Sequence, residues 1–457
     1  MVDPYRHPFL LEMISNFTNL IRPENKHVRI LYLTYMTAGV GQTLRSLECA
    51  KAASDLGHEV TLIFMNRYFR APGFCYDMME NYRSDRFQAI YPPRPEHSDS
   101  VPEPAKRRKA AIGRIVEAKP TIRGLYRQIA GSLRFVPREL AAVDRFKPDV
   151  LVVRPDQVLS FMVTSKLRKV PLVMETDGPV EELDSRWGLD SRWVRPLDTW
   201  RARRAGALLY ISTLCGELWL RKKIQVEKLF HAPNGVDPRV FKPSDPGKRL
   251  ALRAQYGLAD SKVIGFSGNM REWHGIDQLI AAALPLLRRD PLIKLLFIGA
   301  VDDPGVIARL EVPEEIRKRQ FVFTGILPYL SMGEHIDIAD CMALPFPHSD
   351  FFFPSAMKLF EAMSVGKVIV APRMGQIEEL LSGLDSPFLY DPREPGELSR
   401  CLEAALERAS NASGEIAPGS DARARIESGH TWAHRGGAVV QACEFAISRF
   451  RSKRKRP

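Results

Sequence analysis

The hydrophobic positions of this chain fall into two repeating patterns. Short continuous runs rich in Val, Ile and Leu alternate with longer segments in which apolar residues recur every three or four positions. In the first half the continuous runs are VRILYLTY (28–35), HEVTLIFM (58–65), DVLVVR (149–154), PLVMET (171–176) and ALLYIS (207–212). In the second half they are KVIGFSG (262–268), IKLLFIGA (293–300), QFVFTGI (320–326), CMALPF (341–346) and KVIVAP (367–372). Runs without polar alternation, separated by helix-period segments, predict parallel strands buried on both faces. Two such series predict an α/β protein of two doubly wound Rossmann-like domains facing a cleft.

The break between the series is APNGVDPRVFKPSDPG (232–247), dense in turn-forming Pro, Gly, Asn and Asp. It bounds a first domain over 1–233 and a second over 240–425. Residues 91–120 are rich in Pro and charge and predict an insertion at about 70–145. Phe9, Met13, Phe17 and Leu20 share one stripe, which predicts a helix over 9–21 docked on the first domain. DSRW occurs at 184–187 and again at 190–193, too few copies for a repeat fold, and is read as a loop with exposed Arg and Trp.

In open α/β sheets, ligands bind beyond the carboxyl ends of the strands, so candidate chemistry is sought there. After the first run, Gly39, Val40 and Gly41 form a Gly-Val-Gly turn ahead of an amphipathic segment, where backbone amides could meet an anion or simply turn the chain. A third glycine is missing, which disfavours a dinucleotide fold of the dehydrogenase type. METDGPVEEL places Glu175 and Asp177 at a strand end, with Asp177 read either as a site residue or as a turn aspartate. In SGNMREWHG, Gly268 and Gly275 bracket Arg271 and His274, and a cation before a helix suits a diphosphate.

The stretch PSAMKLFEAMSVGKVIVAP (354–372) carries the sharpest question. Ala356, Phe360 and Met363 make a packed helix face, while Lys358 and Glu361 fall together elsewhere. They are either a solvated ion pair or a site. With Ser355 as the N-cap, the first amides and Lys358 would meet phosphate, and Glu361 would accept from two adjacent hydroxyls, as on a ribose.

Composition changes this picture little. The chain has 457 residues, 45% hydrophobic and 26% charged, an ordinary globular balance. No run reaches the ~18 apolar residues of a membrane span, and the first residues lack the pattern of a signal peptide. The six cysteines are scattered without a CxxC or CxxH pair, which fits a reducing cytoplasm and predicts no metal site. The net charge is +12, and the last nine residues, RFRSKRKRP, hold six basic side chains. KRRK at 106–109 is a second cluster. Such an excess attracts anions, and residues 451–457 are read as a basic tail, either solvated and disordered or touching an anionic membrane. A nucleic-acid partner is not expected, because no basic–aromatic recognition stripe is present.

At these residues the sequence resembles the GT-B glycosyltransferases, and within them the large retaining family 4. The resemblance runs through AGVGQTLRSLECAKAASDLGHEVTLI, APNGVDPRVFKP, GNMREWHGIDQLIAA, FVFTGILPYLSMGEHIDIADCMALPF and KLFEAMSVGKVIVAP. It implies a nucleotide-sugar donor held by the second domain, with Glu361 on the ribose. Thr324, Gly325 and the loop to Pro328 would lie near the nucleobase, and Gly39 to Gly41 near the donor phosphate or sugar. Asp177 falls where many members carry a histidine contacting the sugar. HTWAHRGGAVVQACEFAI (430–447) is similar to the family's C-terminal helix, which packs back across the domains, so that 430–450 would rejoin the first domain. Three positions depart from the pattern. Phe353 stands where a Glu is common, Asn269 where an Arg is common, and His274 where a Lys is common. Arg271, His274 and Lys358 are the candidates to replace that clamp. The resemblance implies transfer with retention of configuration and no protein nucleophile. The chain contains no Asp-x-Asp motif, so a metal-independent reaction without a cofactor is expected. The acceptor would be a carbohydrate or a lipid-linked or phosphorylated molecule at the cytoplasmic membrane face, as in cell-surface polysaccharide or glycolipid synthesis. The alternative is a non-catalytic GT-B scaffold that binds sugar nucleotide or polysaccharide.

Overall fold

A computed structural model describes residues 27–35, 41–65, 82, 84–91, 130–155, 159–178, 191–268, 270, 274–299, 312–349, 355–385, 387–411 and 419–454. The chain forms two compact units. One takes residues up to Pro233 together with those from Arg435 onward, and the other runs Asn234–His434.

The first unit is built on a seven-stranded sheet of order β3-β2-β1-β4-β5-β6-β7. The strands are β1 (Arg29–Thr34), β2 (Glu59–Phe64), β3 (Phe87–Ile90), β4 (Val150–Arg154), β5 (Leu172–Thr176), β6 (Ala207–Tyr210) and β7 (Leu229–His231). Every pairing is parallel, and Ile30 of β1 stands between Val60 and Val150. The order is that of a doubly wound sheet. Helices α1 (Gly41–Asp55), α2 (Val136–Phe146), α3 (Ser160–Arg168), α4 (Ser191–Arg204) and α5 (Thr213–Arg221) lie among these strands in the chain. Leu31, Leu33, Leu151, Val153, Phe161 and Trp219 belong to one buried cluster, so both continuous and helix-period apolar runs feed the same core.

The second unit has a six-stranded sheet of order β10-β9-β8-β11-β12-β13. Its strands are β8 (Lys262–Ser267), β9 (Ile293–Ile298), β10 (Phe321–Gly325), β11 (Cys341–Ala343), β12 (Val368–Pro372) and β13 (Pro387–Tyr390), again all parallel. Helix α6 (Ile276–Arg289) follows β8, and α7 (Met357–Val365) precedes β12. Phe266, Ile276, Leu279, Phe297 and Val370 anchor its core. Gly366 ends α7 at φ +75°, its amide bonding Ala362 O and Met363 O, which releases the chain directly into β12.

All ten continuous apolar runs become strands of these sheets. Three further strands, β3, β7 and β13, are short and lie at sheet edges, where fewer residues need be apolar. Pro387 fits an edge strand because a missing donor costs nothing there. The insertion expected at about 70–145 is therefore narrower than the sequence suggests, since β3 and α2 within it belong to the unit. Ser191–Trp193 of the second DSRW copy open helix α4 rather than a loop. The second unit also extends past residue 425, through a helix at Ser420–Gly429 whose Arg423 binds the carbonyls of Ser364 and Phe241. A final helix, Trp432–Arg454, carries the chain back into the first unit, so residues 451–454 of the expected tail are helical. The helix expected at 9–21, the 184–187 tetrapeptide and the KRRK cluster lie outside the described residues. Among the described residues, no helix is long and apolar enough to cross a membrane.

Candidate functional site

In the second unit, three strand ends are stapled by glycine. Gly268 follows β8 at φ +113°, Gly299 follows β9 at φ +130°, and Gly325 closes β10 at φ +72°. A Cβ on Gly299 would stand 2.7 Å from the Gly268 carbonyl oxygen, so these backbones abut. Gly275 caps α6 at φ +71°, and a Cβ there would lie 1.5 Å from Pro345 O. Only glycine allows that approach of the β8–α6 loop to the loop after β11.

Into this backbone framework α7 projects Lys358. Its Nζ would be 3.2 Å from a Cβ on Gly268, and it sits 4.3 Å from the Phe266 ring centroid and 5.4 Å from that of Phe346. The nitrogen is buried and donates no hydrogen bond. Removal from water pushes the ammonium down to about 7, with Glu361 opposing the shift. Glu361, one turn further along α7, is 7% exposed. Burial pushes its carboxyl up to about 7, against the pull of Lys358. The two form no direct ion pair, so neither satisfies the other. The solvated-pair alternative is excluded, because Leu359, Phe360, Ala362 and Met363 are buried too and α7 is enclosed on most sides. A buried ammonium beside Gly268 that donates no hydrogen bond, with a buried carboxyl one helical turn away, is an arrangement suited to an anion next to hydroxyl groups.

The other expected residues take varied positions. His274 joins the cluster, its ring 6.3 Å from Phe266 and 6.0 Å from Phe346. Ser355 is not the N-cap of α7. Ala356 holds that position without a side-chain bond, while Ser355 Oγ and O accept from Asn234 N at 3.0 Å and Nδ2 at 2.6 Å. Ser355 thus secures the entry to the helix. Thr324 sits at a bulge in β10, where its hydroxyl accepts from Gly299 N and donates to Gly325 O. It holds the strand ends together, and Gly325 shares that bridge. Asn269 and Arg271 lie outside the described residues, as do Gly39, Val40 and Phe353; Gly41 is the first residue of α1.

The first unit gathers a buried charge network at the end of β5. Asp177 is gripped by Arg45 from α1 and by Arg154 from β4, the latter at 2.8 Å, with 35% of the aspartate side chain exposed. Its carboxyl is held far below the usual range, the two guanidiniums outweighing the cost of burial. Glu175 accepts from the Tyr32 hydroxyl and pairs with Arg45 at 2.7 Å and Arg435 at 2.8 Å. Arg435, from the final helix, also bonds Cys49 Sγ and Pro233 O, each at 2.7 Å. Asp177 is therefore no turn aspartate; it is a fixed carboxylate with one open side. Arg45, Arg154 and Arg435 escaped the sequence analysis, since nothing local to any of them signals a partner more than 100 residues away, or one from a neighbouring strand.

Two doubly wound parallel sheets, one in each compact unit, define a two-domain α/β protein. Comparison with known proteins narrows the class. Residues 39–240 match the model of Glycosyltransferase Family 4, and residues 261–408 match that of Glycosyl transferases group 1. This chain belongs to the group 1, family 4 GT-B glycosyltransferases. It is 28% identical over 232 residues to D-inositol 3-phosphate glycosyltransferase of Mycolicibacterium smegmatis, covering 49% of each chain. It is 24% identical to sulfoquinovosyl transferase SQD2 of Arabidopsis thaliana, over 61% of this chain and 53% of that one. The chain spans about half the length of these curated relatives. Its fold is similar to Anabaena Alr3699/HepE solved with UDP and glucose, with TM-score 0.63, 16% identity and coverage of 90% and 98%. It is also similar to the catalytic domain of Arabidopsis thaliana starch synthase IV bound to ADP and acarbose, with TM-score 0.64, 14% identity and coverage of 93% and 100%.

Proposed function

We propose that this chain transfers a sugar, with retention of configuration, from a nucleoside-diphosphate donor to a carbohydrate or lipid-linked acceptor. The observation that carries the reading is the buried, unpartnered ammonium of Lys358 beneath Gly268, one helical turn from the buried carboxyl of Glu361. A diphosphate would supply the negative charge that Lys358 lacks, and vicinal ribose hydroxyls would donate to Glu361. Breaking the bond from the anomeric carbon leaves negative charge on the phosphate. Lys358, the amides at the start of α7 and His274 would stabilise it in a dry site, where such interactions are strongest. The family resemblance adds Asn269 and Arg271, and separately Gly39 to Gly41, as candidates for contact with the donor. The altered clamp positions are read as divergence in donor choice.

The reaction would need no metal, because lysine and backbone dipoles take that electrostatic role. Attack from the face the phosphate leaves, with the phosphate itself receiving the acceptor proton, retains configuration without a protein nucleophile. On the acceptor side Asp177, ionised and open on one side, would accept from sugar hydroxyls. The relatives named above are a D-inositol 3-phosphate glycosyltransferase and a sulfoquinovosyl transferase, which supports a glycolipid or polysaccharide pathway.

A thermal-shift screen of the full chain against UDP, GDP, ADP and their sugars, with and without EDTA, tests the reading. A ligand at 100 times its Kd stabilises the fold by about 2.7 kcal/mol. The expected outcome is a shift for one base, unaffected by EDTA and lost in Glu361→Ala. A shift abolished by EDTA overturns metal independence, and no shift at all overturns the donor site. Binding without turnover on any acceptor favours the scaffold reading.

A further inference from the structure

Among the described residues, three that are not glycine hold a left-handed backbone, and all three are lysines: Lys147 at φ 45°, Lys169 at 53° and Lys223 at 59°. Lys147 and Lys169 follow the last turns of α2 and α3, and Lys223 lies two residues past α5. Glycine is the usual occupant because it has no Cβ to clash. Helices that return between parallel strands end at the strands' amino edge, so the three lysines share one edge of the first unit, opposite the strand ends that carry Asp177.

Other basic residues are drawn to that edge. The final helix brings Phe450, Arg451 and Arg454 against Lys169, Val170 and Pro171, around a cavity of about 210 Å³ that Asp149 also lines. Arg449 reaches Gln225 at 2.5 Å, Arg203 reaches Lys222 O at 3.2 Å, and Lys228 donates to Arg203 O at 2.8 Å, so the ends of α4 and α5 join the same surface. The carboxylates nearby are already paired: Asp149 with Arg29, Asp144 with Arg168, and Glu227 with Arg449. The Lys228 ammonium is pushed down to about 8, by burial first and then by repulsion from Arg449 and Lys453. A favourable helix dipole accounts for any one such cation. It does not account for choosing lysine over glycine three times on one edge. Among these cations two large apolar side chains face water: Leu167 of α3, 56% exposed, and Trp200 of α4, 41% exposed, with the Arg204 guanidinium 4.9 Å from its ring.

We propose that this edge of the first unit docks on an anionic phospholipid bilayer. The cations meet lipid phosphates, and Leu167 and Trp200 enter the headgroup layer, where tryptophan is favoured. An exposed leucine gains nothing from a nucleic-acid backbone, which makes a bilayer the better match. The inference concerns the edge opposite the Asp177 strand end and goes beyond the proposed function, requiring neither donor nor turnover.

Flotation of the full chain with vesicles tests it. The chain should float with mixed phosphatidylcholine–phosphatidylglycerol vesicles, not with pure phosphatidylcholine, and less so as salt rises. The triple variant Lys147→Gly/Lys169→Gly/Lys223→Gly should partition on the order of a hundredfold more weakly, since each basic residue near the surface contributes about 1 kcal/mol. Its Tm should rise, because glycine suits a left-handed backbone. Arg451→Gln/Arg454→Gln on the helix surface should weaken flotation without touching those turns. Absence of flotation with anionic vesicles, unchanged flotation of the glycine variant, or binding to an oligonucleotide but not to vesicles would each overturn the proposal. Nucleotide shifts measured on the same samples separate the two readings: a shift without flotation sinks only the membrane surface, and flotation without a shift sinks only the donor site.

Discussion

The ammonium of Lys358 lies 3.2 Å from where a side-chain carbon on Gly268 would begin, and no acceptor receives its protons. The glycine leaves the space, and the lysine fills one side of it with charge. This pair is stable only as a compromise, since a buried unpaired ammonium costs free energy that an anionic ligand would return. Lys358→Met should therefore separate fold from function. Unliganded stability should rise by about 1 kcal/mol, with methionine packing on Phe266 and Phe346. Nucleotide affinity should fall by about 1.5–3 kcal/mol, roughly tenfold to a hundredfold in Kd. Denaturant melts and titration calorimetry read the two effects independently, and a destabilised variant that still binds would contradict the assignment.

The same two groups set a pH dependence whose sign can be worked out. Lys358 has a folded pKa depressed from 10.5 to about 7, so it handicaps the unliganded fold at low pH, and the handicap is relieved as pH rises from 7 toward 10.5. Glu361 has a folded pKa raised from 4.5 to about 7, so its contribution is full below 4.5 and lost as pH rises through 7. Their joint contribution to unliganded stability should be lowest near pH 7. A diphosphate favours charged Lys358, so binding above pH 7 should take up a proton and weaken as pH rises further. Calorimetry in buffers of different ionisation enthalpy measures that uptake directly; a proton count of zero at pH 8 would remove Lys358 from the phosphate.

Gly275→Ala should be among the most damaging small substitutions. It combines a left-handed φ of +71° with a Cβ 1.5 Å from Pro345 O. Strain and overpacking together predict a loss of about 3 kcal/mol or more. Gly383→Ala is the control, since it too has positive φ but meets nothing within 4 Å, and it should lose only about 1 kcal/mol.

Arg435 ties the final helix to Glu175 with both side chains almost fully buried. Arg435→Met should destabilise the first unit by about 3–5 kcal/mol, because Glu175 keeps only part of its compensation. Adding Glu175→Gln should recover part of that loss. A double-mutant cycle with additive effects would show that the pair does not act as one network.

The sequence by itself determined the class of the fold and most of its strands. The ten continuous apolar runs are long enough to be buried on both faces, and no other arrangement hides them. It also marked Lys358 and His274, which the second unit brings together around Phe266 and Phe346, with Gly268 beside Lys358 and Glu361 one turn further along α7. It misread Ser355 as the N-cap of α7, and it did not show that the Ser355 and Thr324 hydroxyls bond neighbouring backbone, because a hydrogen-bond partner 121 or 25 residues away leaves no local trace. Tertiary structure alone decided that the Lys358 ammonium and Glu361 are buried rather than solvated, since helical spacing fixes which residues share a face but not what covers it. It alone placed Arg45, Arg154 and Arg435 around Glu175 and Asp177, and three left-handed lysines on one sheet edge. Local periodicity follows from backbone geometry, which is a property of neighbours; burial and charge pairing follow from packing, which is a property of the whole chain.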